Sequence, residues 1–187
     1  MSDTRYCFGV DYDGTIADTN LMKTRWIREH LHKQVDPWQC DRTNCVPLIG
    51  AESYERMANT VYERTWSLAA PPVAGALAGL QALRRCGKVY VLTARLPHRL
   101  AFAREWFKRQ GVPEFGDALL SSAESDKLSV CEHHDINVLI DDDERHLLPL
   151  LQSGVRGILL KVGFAGTLSL PVGVDICRAW PEVLAVL

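Results

Sequence analysis

The chain has no apolar run approaching the ~20 residues that cross a bilayer, no basic tract, no C-x-x-C pair, and no internal repeat or low-complexity segment. The first absence excludes a membrane-spanning helix. The second, with a formal net charge of -2, removes the electrostatic footprint expected for a nucleic-acid polymer and leaves only a single nucleotide open. Six cysteines, Cys7, Cys40, Cys45, Cys86, Cys131 and Cys177, are scattered, and Met1 to Arg5 carries no secretory apolar core, so a reducing cytoplasm is the expected compartment. His30, His32, Cys40 and Cys45 match no common zinc spacing. What is present has globular proportions: 187 residues, 47% apolar and 24% charged, suit one buried core or a core with a modest inserted subdomain.

Read in order, Arg5 to Val10 is a short apolar run with aromatic and β-branched members, the pattern of a buried central strand. It ends on Asp11-Tyr12-Asp13-Gly14-Thr15. Asp18 or Thr19 caps a helix running to about His32, with Leu21, Met22, Ile27 and Leu31 toward the core. Lys33 to Gly50, with Pro37 and Pro47, reads as irregular, and one helix is expected over Ala51 to Leu68 before Pro71-Pro72 stops it. After Pro72 an α/β rhythm sets in. Helices are expected near 74–86, 97–110, 126–134, 144–152 and 180–187, with strands near 89–92, 118–120, 138–140, 155–162 and 174–177.

Two acidic clusters each follow directly on a short apolar strand, Asp11 with Asp13, and Asp141-Asp142-Asp143. If those strands are neighbours the clusters meet at the carboxyl end of the sheet, where open α/β folds bind ligands. So many carboxylates in one crevice repel one another, and a hard divalent cation with oxygen ligands relieves that repulsion; Mg²⁺ suits the inventory. A carboxylate can serve as a covalent nucleophile, and an alkoxide leaving group needs a proton that a second carboxyl can give.

Asp-x-Asp-Gly-Thr, the strand-ending Thr93, the downstream Lys127 and the strand-ending Asp141-Asp142 stand in an order that resembles the haloacid-dehalogenase superfamily of phosphatases. The resemblance implies a Rossmann-like α/β three-layer sandwich with a mostly parallel sheet. Its core would be residues 1–17 and 73–187, and residues 18–72 would form a small, all-helical C1-type cap after the first strand. It implies Asp11 as nucleophile, giving an aspartyl-phosphate, and Asp13 as the acid that protonates the leaving oxygen and later activates water. Thr93 would hold the phosphoryl oxygens and Lys127 would neutralise them. Gly14 lets the loop approach the phosphate, with Thr15 beside it, and Arg95 reaches toward substrate or cap. Mg²⁺ would sit on Asp11, the Asp13 carbonyl and Asp141, with Asp142 holding a metal-bound water or Lys127. Asp143 favours the following helix N-terminus. A halide leaving group needs no proton, so Asp13 argues against dehalogenation.

Val91-Leu92-Thr93-Ala94-Arg95, Glu105-Trp106-Phe107 and Leu139-Ile140-Asp141-Asp142 are similar to the 5'(3')-deoxyribonucleotidase-like branch, from which Tyr12 and Thr15 depart. The expected activity is Mg²⁺-dependent hydrolysis of a small phosphorylated metabolite, a nucleoside monophosphate first, by a monomer or homodimer. A sugar-phosphate phosphatase or phosphomutase is the alternative within enzymes, and a non-catalytic phospho-ligand binding protein is the alternative outside them. Trp26, Trp38, Trp66, Tyr54 and Tyr62 could offer a stacking surface in the insertion. Its lysines, Lys23 and Lys33, belong to no motif, which argues against a Schiff-base phosphonate hydrolase.

Overall fold

A computed structural model describes residues 6–167 and 171–187. Arg5, where the sequence reading begins its first strand, lies outside them, as do residues 1–4 of the expected core segment. Six parallel strands form one sheet, β1 (Tyr6–Asp11), β2 (Gly87–Thr93), β3 (Leu119–Ser121), β4 (Val138–Asp141), β5 (Arg156–Leu160) and β6 (Val174–Cys177), in the order β3-β2-β1-β4-β5-β6. The order reverses at β1, so the crevice of this α/β sheet opens above β1 and β4. Both are buried on both faces, as continuous apolar strands of a parallel sheet are.

Side-chain alternation sorts the sheet into two layers. Phe8 and Val10 of β1, with Val138 and Ile140 of β4, pack into a core shared with α5 (Ala76–Cys86), α6 (Leu100–Arg109) and α10 (Trp180–Ala185). Leu139 faces the other layer, built from Val130 and Cys131 of α8 (Lys127–His133) and Leu147 of α9 (Glu144–Leu147). The register sets Val10 against Ile140, so Asp11 and Asp141 end their strands level and with the same parity as Leu139. They therefore emerge on the α8 side, where Lys127 begins that helix.

Between β1 and β2 lies an all-helical insertion. Its helices are α1 (Thr19–Leu31), α2 (Arg42–Ile49), α3 (Ala51–Val61) and α4 (Arg64–Ala69), with a 3₁₀ turn over Pro37–Gln39. Asp18 caps α1 by accepting from the Leu21 amide at 2.9 Å. The buried stripe of α1 differs from the sequence reading: Leu21 is exposed, while Met22, Trp26, Ile27 and also Asn20 and Lys23 are inside. The segment read as irregular contains α2, because Asp41 caps it through the Asn44 amide, and in an eight-residue helix Pro47 removes a single donor. The single helix expected over Ala51 to Leu68 is interrupted at Tyr62-Glu63, where Glu63 is extended. A further short helix, α7 (Pro113–Asp117), was not expected from the sequence.

The two connections to the insertion lie side by side. Asp18 donates its amide to the Pro71 carbonyl at 2.8 Å and Val73 donates to Ile16 at 2.8 Å. Trp180 supports the same loop from beneath, its Nε1 donating to the Thr15 carbonyl at 3.1 Å. The indole lies so close to α5 that a Cβ on Gly79 would stand 2.2 Å from it, so only glycine fits there.

Candidate active site

Two strand ends and one helix start bring the first three site residues together. Lys127 Nζ donates to Asp11 Oδ1 and to Asp141 Oδ2, both at 2.5 Å, with all three side chains buried. The sequence reading gave Asp142 the option of holding Lys127; the ammonium is on Asp141 instead, because Asp141 shares the parity of Asp11. Asp141 is further saturated by the Asp143 amide at 2.9 Å and by His146 Nδ1 at 3.1 Å. Burial would raise its pKa, and the Lys127 ammonium and His146 hold its carboxyl well below the usual carboxylate range.

Asp11 Oδ2 is buried with no hydrogen-bond partner. Burial pushes the Asp11 pKa well above the ordinary value; the Lys127 charge opposes this, and the neighbouring Asp141, Asp142 and Asp13 reinforce it. Asp142 behaves likewise: burial first, then Asp141, pushes it up to about 6, although Asn20 Nδ2 donates to its Oδ2 at 2.7 Å. Oxygens of Asp11, Asp141 and Asp142 lie within 4.8 Å of one another. A divalent cation fits this place: the donors are hard oxygens, one is an orphan, and the single Lys127 ammonium does not balance three carboxylates.

Asp13 sits across from this group and is gripped by Arg95. The guanidinium donates from Nε to both Asp13 oxygens at 3.1 and 3.0 Å and from Nη2 to Oδ1 at 2.8 Å, while Thr93 Oγ1 donates to Oδ2 at 3.0 Å. Arg95 is almost wholly buried, wedged between the rings of Tyr12 and Tyr62, with Nη1 on Ser67 Oγ of α4 at 2.7 Å. It thus reaches the insertion, one of the two places the sequence reading offered, while its fork is on Asp13. Thr93 spends its hydroxyl proton on Asp13 in this state. Gly14, at φ 92°, lies where a Cβ would stand 2.3 Å from Asp142 Oδ2 and 2.5 Å from Asn20 Nδ2, so it allows loop and acid to meet. Thr15 is buried beside it with an unpartnered hydroxyl. Asp143 caps α9, accepting from the Arg145 amide at 3.0 Å and pairing with its guanidinium.

A cavity of about 340 Å³ joins these groups to the insertion. Asp11, Asp13, Arg95, Arg99, Asp142, Asp143, Arg145 and His146 line it from the core, and Lys23, Asp41, Arg42, Tyr54, Glu55 and Tyr62 from the helices above. Of the five insertion aromatics, only the two tyrosines face it. Trp26 is buried and stacked on His30, Trp38 packs on Phe164, and Trp66 meets Arg25. Sequence reasoning passed over Asn20, Ser67 and His146 and set Lys23 aside. Asn20 and Lys23 could have been noticed as polar residues one helical turn apart on a stripe that also carries Ile27.

No family model matches the sequence. Over 181 residues the chain is 22% identical to "Putative nucleotidase BH1399" of Halalkalibacterium halodurans, covering 95% of this chain and 90% of that protein. Among solved structures it is similar to a haloacid dehalogenase-like family hydrolase, SP0104, from Streptococcus pneumoniae. There the TM-score is 0.68 at 16% identity, with 100% of this chain and 99% of the other covered. The chain has the haloacid-dehalogenase fold. A haloacid-dehalogenase family hydrolase from Deinococcus radiodurans, solved with bound phosphate and sodium, shares the same fold with a TM-score of 0.63 at 12% identity, covering 97% and 95% of the two chains. In haloacid-dehalogenase terms, the order of motifs in the sequence becomes here a single buried constellation at the sheet's carboxyl end.

Proposed function

We propose that the protein is a Mg²⁺-dependent phosphomonoesterase acting on a small phosphorylated metabolite, with a nucleoside monophosphate first among its substrates. One observation carries the reading: buried Asp11 has one oxygen fixed by Lys127 and the other unpartnered at the edge of a cavity that also holds Asp13. Asp11 attacks phosphorus, forming a P–O bond as the ester P–O bond breaks, and Lys127 offsets the charge that gathers there. Asp13 delivers a proton to the leaving oxygen and then takes one from the water that attacks phosphorus and frees Asp11. Its carboxyl must first exchange at least one Arg95 bond for the leaving oxygen. Asp11, the Asp13 carbonyl, Asp141 and Asp142 would hold Mg²⁺. Asp142 is the freer of the last two, since Asp141 is already met by three donors. When bound, the ion supplies charge neutralisation and polarises phosphoryl oxygens. The insertion acts as a cap that shields the reaction from water and chooses the leaving group. The nucleoside preference is supported by the relative's printed name and by Tyr54 and Tyr62 in the cavity.

The test is release of inorganic phosphate from a chromogenic phosphate ester and from a panel of phosphorylated metabolites, with Mg²⁺ and with chelator. Turnover that needs Mg²⁺ and disappears in Asp11→Asn, with the melting transition retained, is expected. A fully active Asp11→Asn protein overturns the mechanism.

A further inference from the structure

Among the described residues Lys23 is a buried cation with no carboxylate in ion-pair contact. It is 4% exposed on α1 and lines the cavity from the cap side. Its ammonium donates to two neutral acceptors, Asn20 Oδ1 at 3.2 Å and the Cys40 carbonyl at 3.1 Å, and lies 5.8 Å from the centre of the Tyr62 ring. An ammonium has three N–H donors, so one is left. Every other Lys or Arg lining this cavity has a carboxylate in ion-pair contact: Arg42 with Glu55, Arg95 with Asp13, Arg99 with Glu63, and Arg145 with Asp143. Among the described residues Lys23 has none. Burial disfavours its charged form, but the oxygens of Tyr62 and Tyr54 and the Asp142 carboxylate outweigh that, so the group stays protonated. A buried charge left unpaired is costly, and a ligand that supplies the missing anion removes the cost.

We propose that Lys23 binds a second acidic group on the leaving portion of the substrate, so that the preferred esters are those whose alcohol bears a carboxylate or another phosphate. The inference rests on the phosphomonoesterase reading and narrows it. The reacting phosphate belongs with Asp11 and Lys127 on the core side, so a cation on the cap side addresses what departs. This revises that reading in one respect: a nucleoside carrying a phosphate on each of two hydroxyls supplies the second anion and ranks ahead of the plain nucleoside monophosphate placed first above. The competing role for Lys23 is indirect: it touches Asn20, which holds Asp142, and could act on every substrate alike by steadying the acidic group.

The deciding experiment compares three phosphate esters of equal chain length, propyl phosphate, phosphohydroxypropanoate and propanediol bisphosphate, on wild type, Lys23→Met and Lys23→Gln. Glutamine can keep the bonds to Asn20 and Cys40 without the charge, and melting curves verify that each variant is folded. The wild type is expected to favour one or both acidic esters over propyl phosphate by about ten- to hundredfold in kcat/KM, the worth of a charged hydrogen bond, with the better ester identifying the anion. Both variants should bring that ratio close to one. Equal loss on all three esters, or no preference in the wild type, overturns the proposal. Should no ester be turned over, the phosphomonoesterase reading fails by itself, and calorimetric titration of Asp11→Asn with the same esters still decides about Lys23. Tighter binding of an acidic ester that vanishes with Lys23→Met supports the proposal, and equal binding of all three overturns it.

Discussion

At the residue scale the most consequential contact is the fork of Arg95 on Asp13. A bidentate guanidinium–carboxylate pair fixes direction as well as charge, which lysine cannot reproduce. Arg95→Met is therefore expected to cost about 3–5 kcal/mol of stability in denaturant titration, because it strands the Asp13 carboxylate and the Ser67 hydroxyl together. It should also lower kcat more than it raises KM, because Asp13 loses its placement. Arg95→Lys should recover part of the stability and little of the kcat. Gly14→Ala should weaken Mg²⁺ dependence and activity by displacing Asp142, and should cost more than ~1 kcal/mol, since φ is 92° and the added carbon meets Asp142 and Asn20; Mg²⁺ titration of activity measures it. The clustering of Asp11, Thr93, Lys127 and Asp141 was legible in the sequence because each ends a strand or opens a helix beside an apolar run, and that of Asp13 because it follows two residues after Asp11. Lys23 was not legible: a lysine on a helix is ordinarily solvated, and only the packing of α1 on its neighbours puts this one inside.

At the scale of elements, the insertion is tied to the core by a set of polar links, and one of them reports on pH. Asp41, the cap residue of α2, accepts from Lys161 at the end of β5 at 2.9 Å, and both are buried. Burial tends to raise the Asp41 pKa, but Lys161 and the Asn44 donors bring it below the ordinary value near 3.8. A depressed carboxyl contributes stability above that ordinary value and loses it as pH falls through the folded value. Acid titration should therefore release this contribution only below about pH 4. Asp41→Asn should remove it, giving a protein less stable at pH 7 by about 3–5 kcal/mol and with a flatter stability profile in that acid window. Thermal melts across pH read both. Helix existence was largely legible here, but helix breaks were not. The interruption at Tyr62-Glu63 follows no Gly or Pro; it allows Ser67 to reach Arg95, a tertiary reason invisible in a local pattern. Likewise Pro47 suggests a loop because its cost is local to one residue, whereas the compensating cap stands six residues earlier at Asp41.

At the scale of the molecule, the six thiols are all free and only Cys86 is exposed. Burial pushes Cys131 up to about 12 and Cys177 up to about 11, so neither offers appreciable thiolate at neutral pH. Alkylation of the native protein should mark Cys86 first, and the buried thiols should react only on unfolding; early modification of Cys131 in the folded protein would contradict the structure. Among the described residues no helix is long and apolar enough to cross a membrane. The sheet was legible as a rhythm of apolar runs, but its order was not. Nothing local says that β1 takes β2 on one side and β4 on the other. That order has a consequence in time. One neighbour of β1 lies some 130 residues further along the chain, as the bond from the Cys7 amide to Asn137 shows. At ~5–20 residues per second of synthesis, the strand bearing Asp11 waits roughly 6 to 26 seconds on the ribosome before its second flank exists. Throughout that interval the β4 side of β1 is an unpaired apolar edge, so the centre of the finished sheet is the nascent chain's principal aggregation hazard.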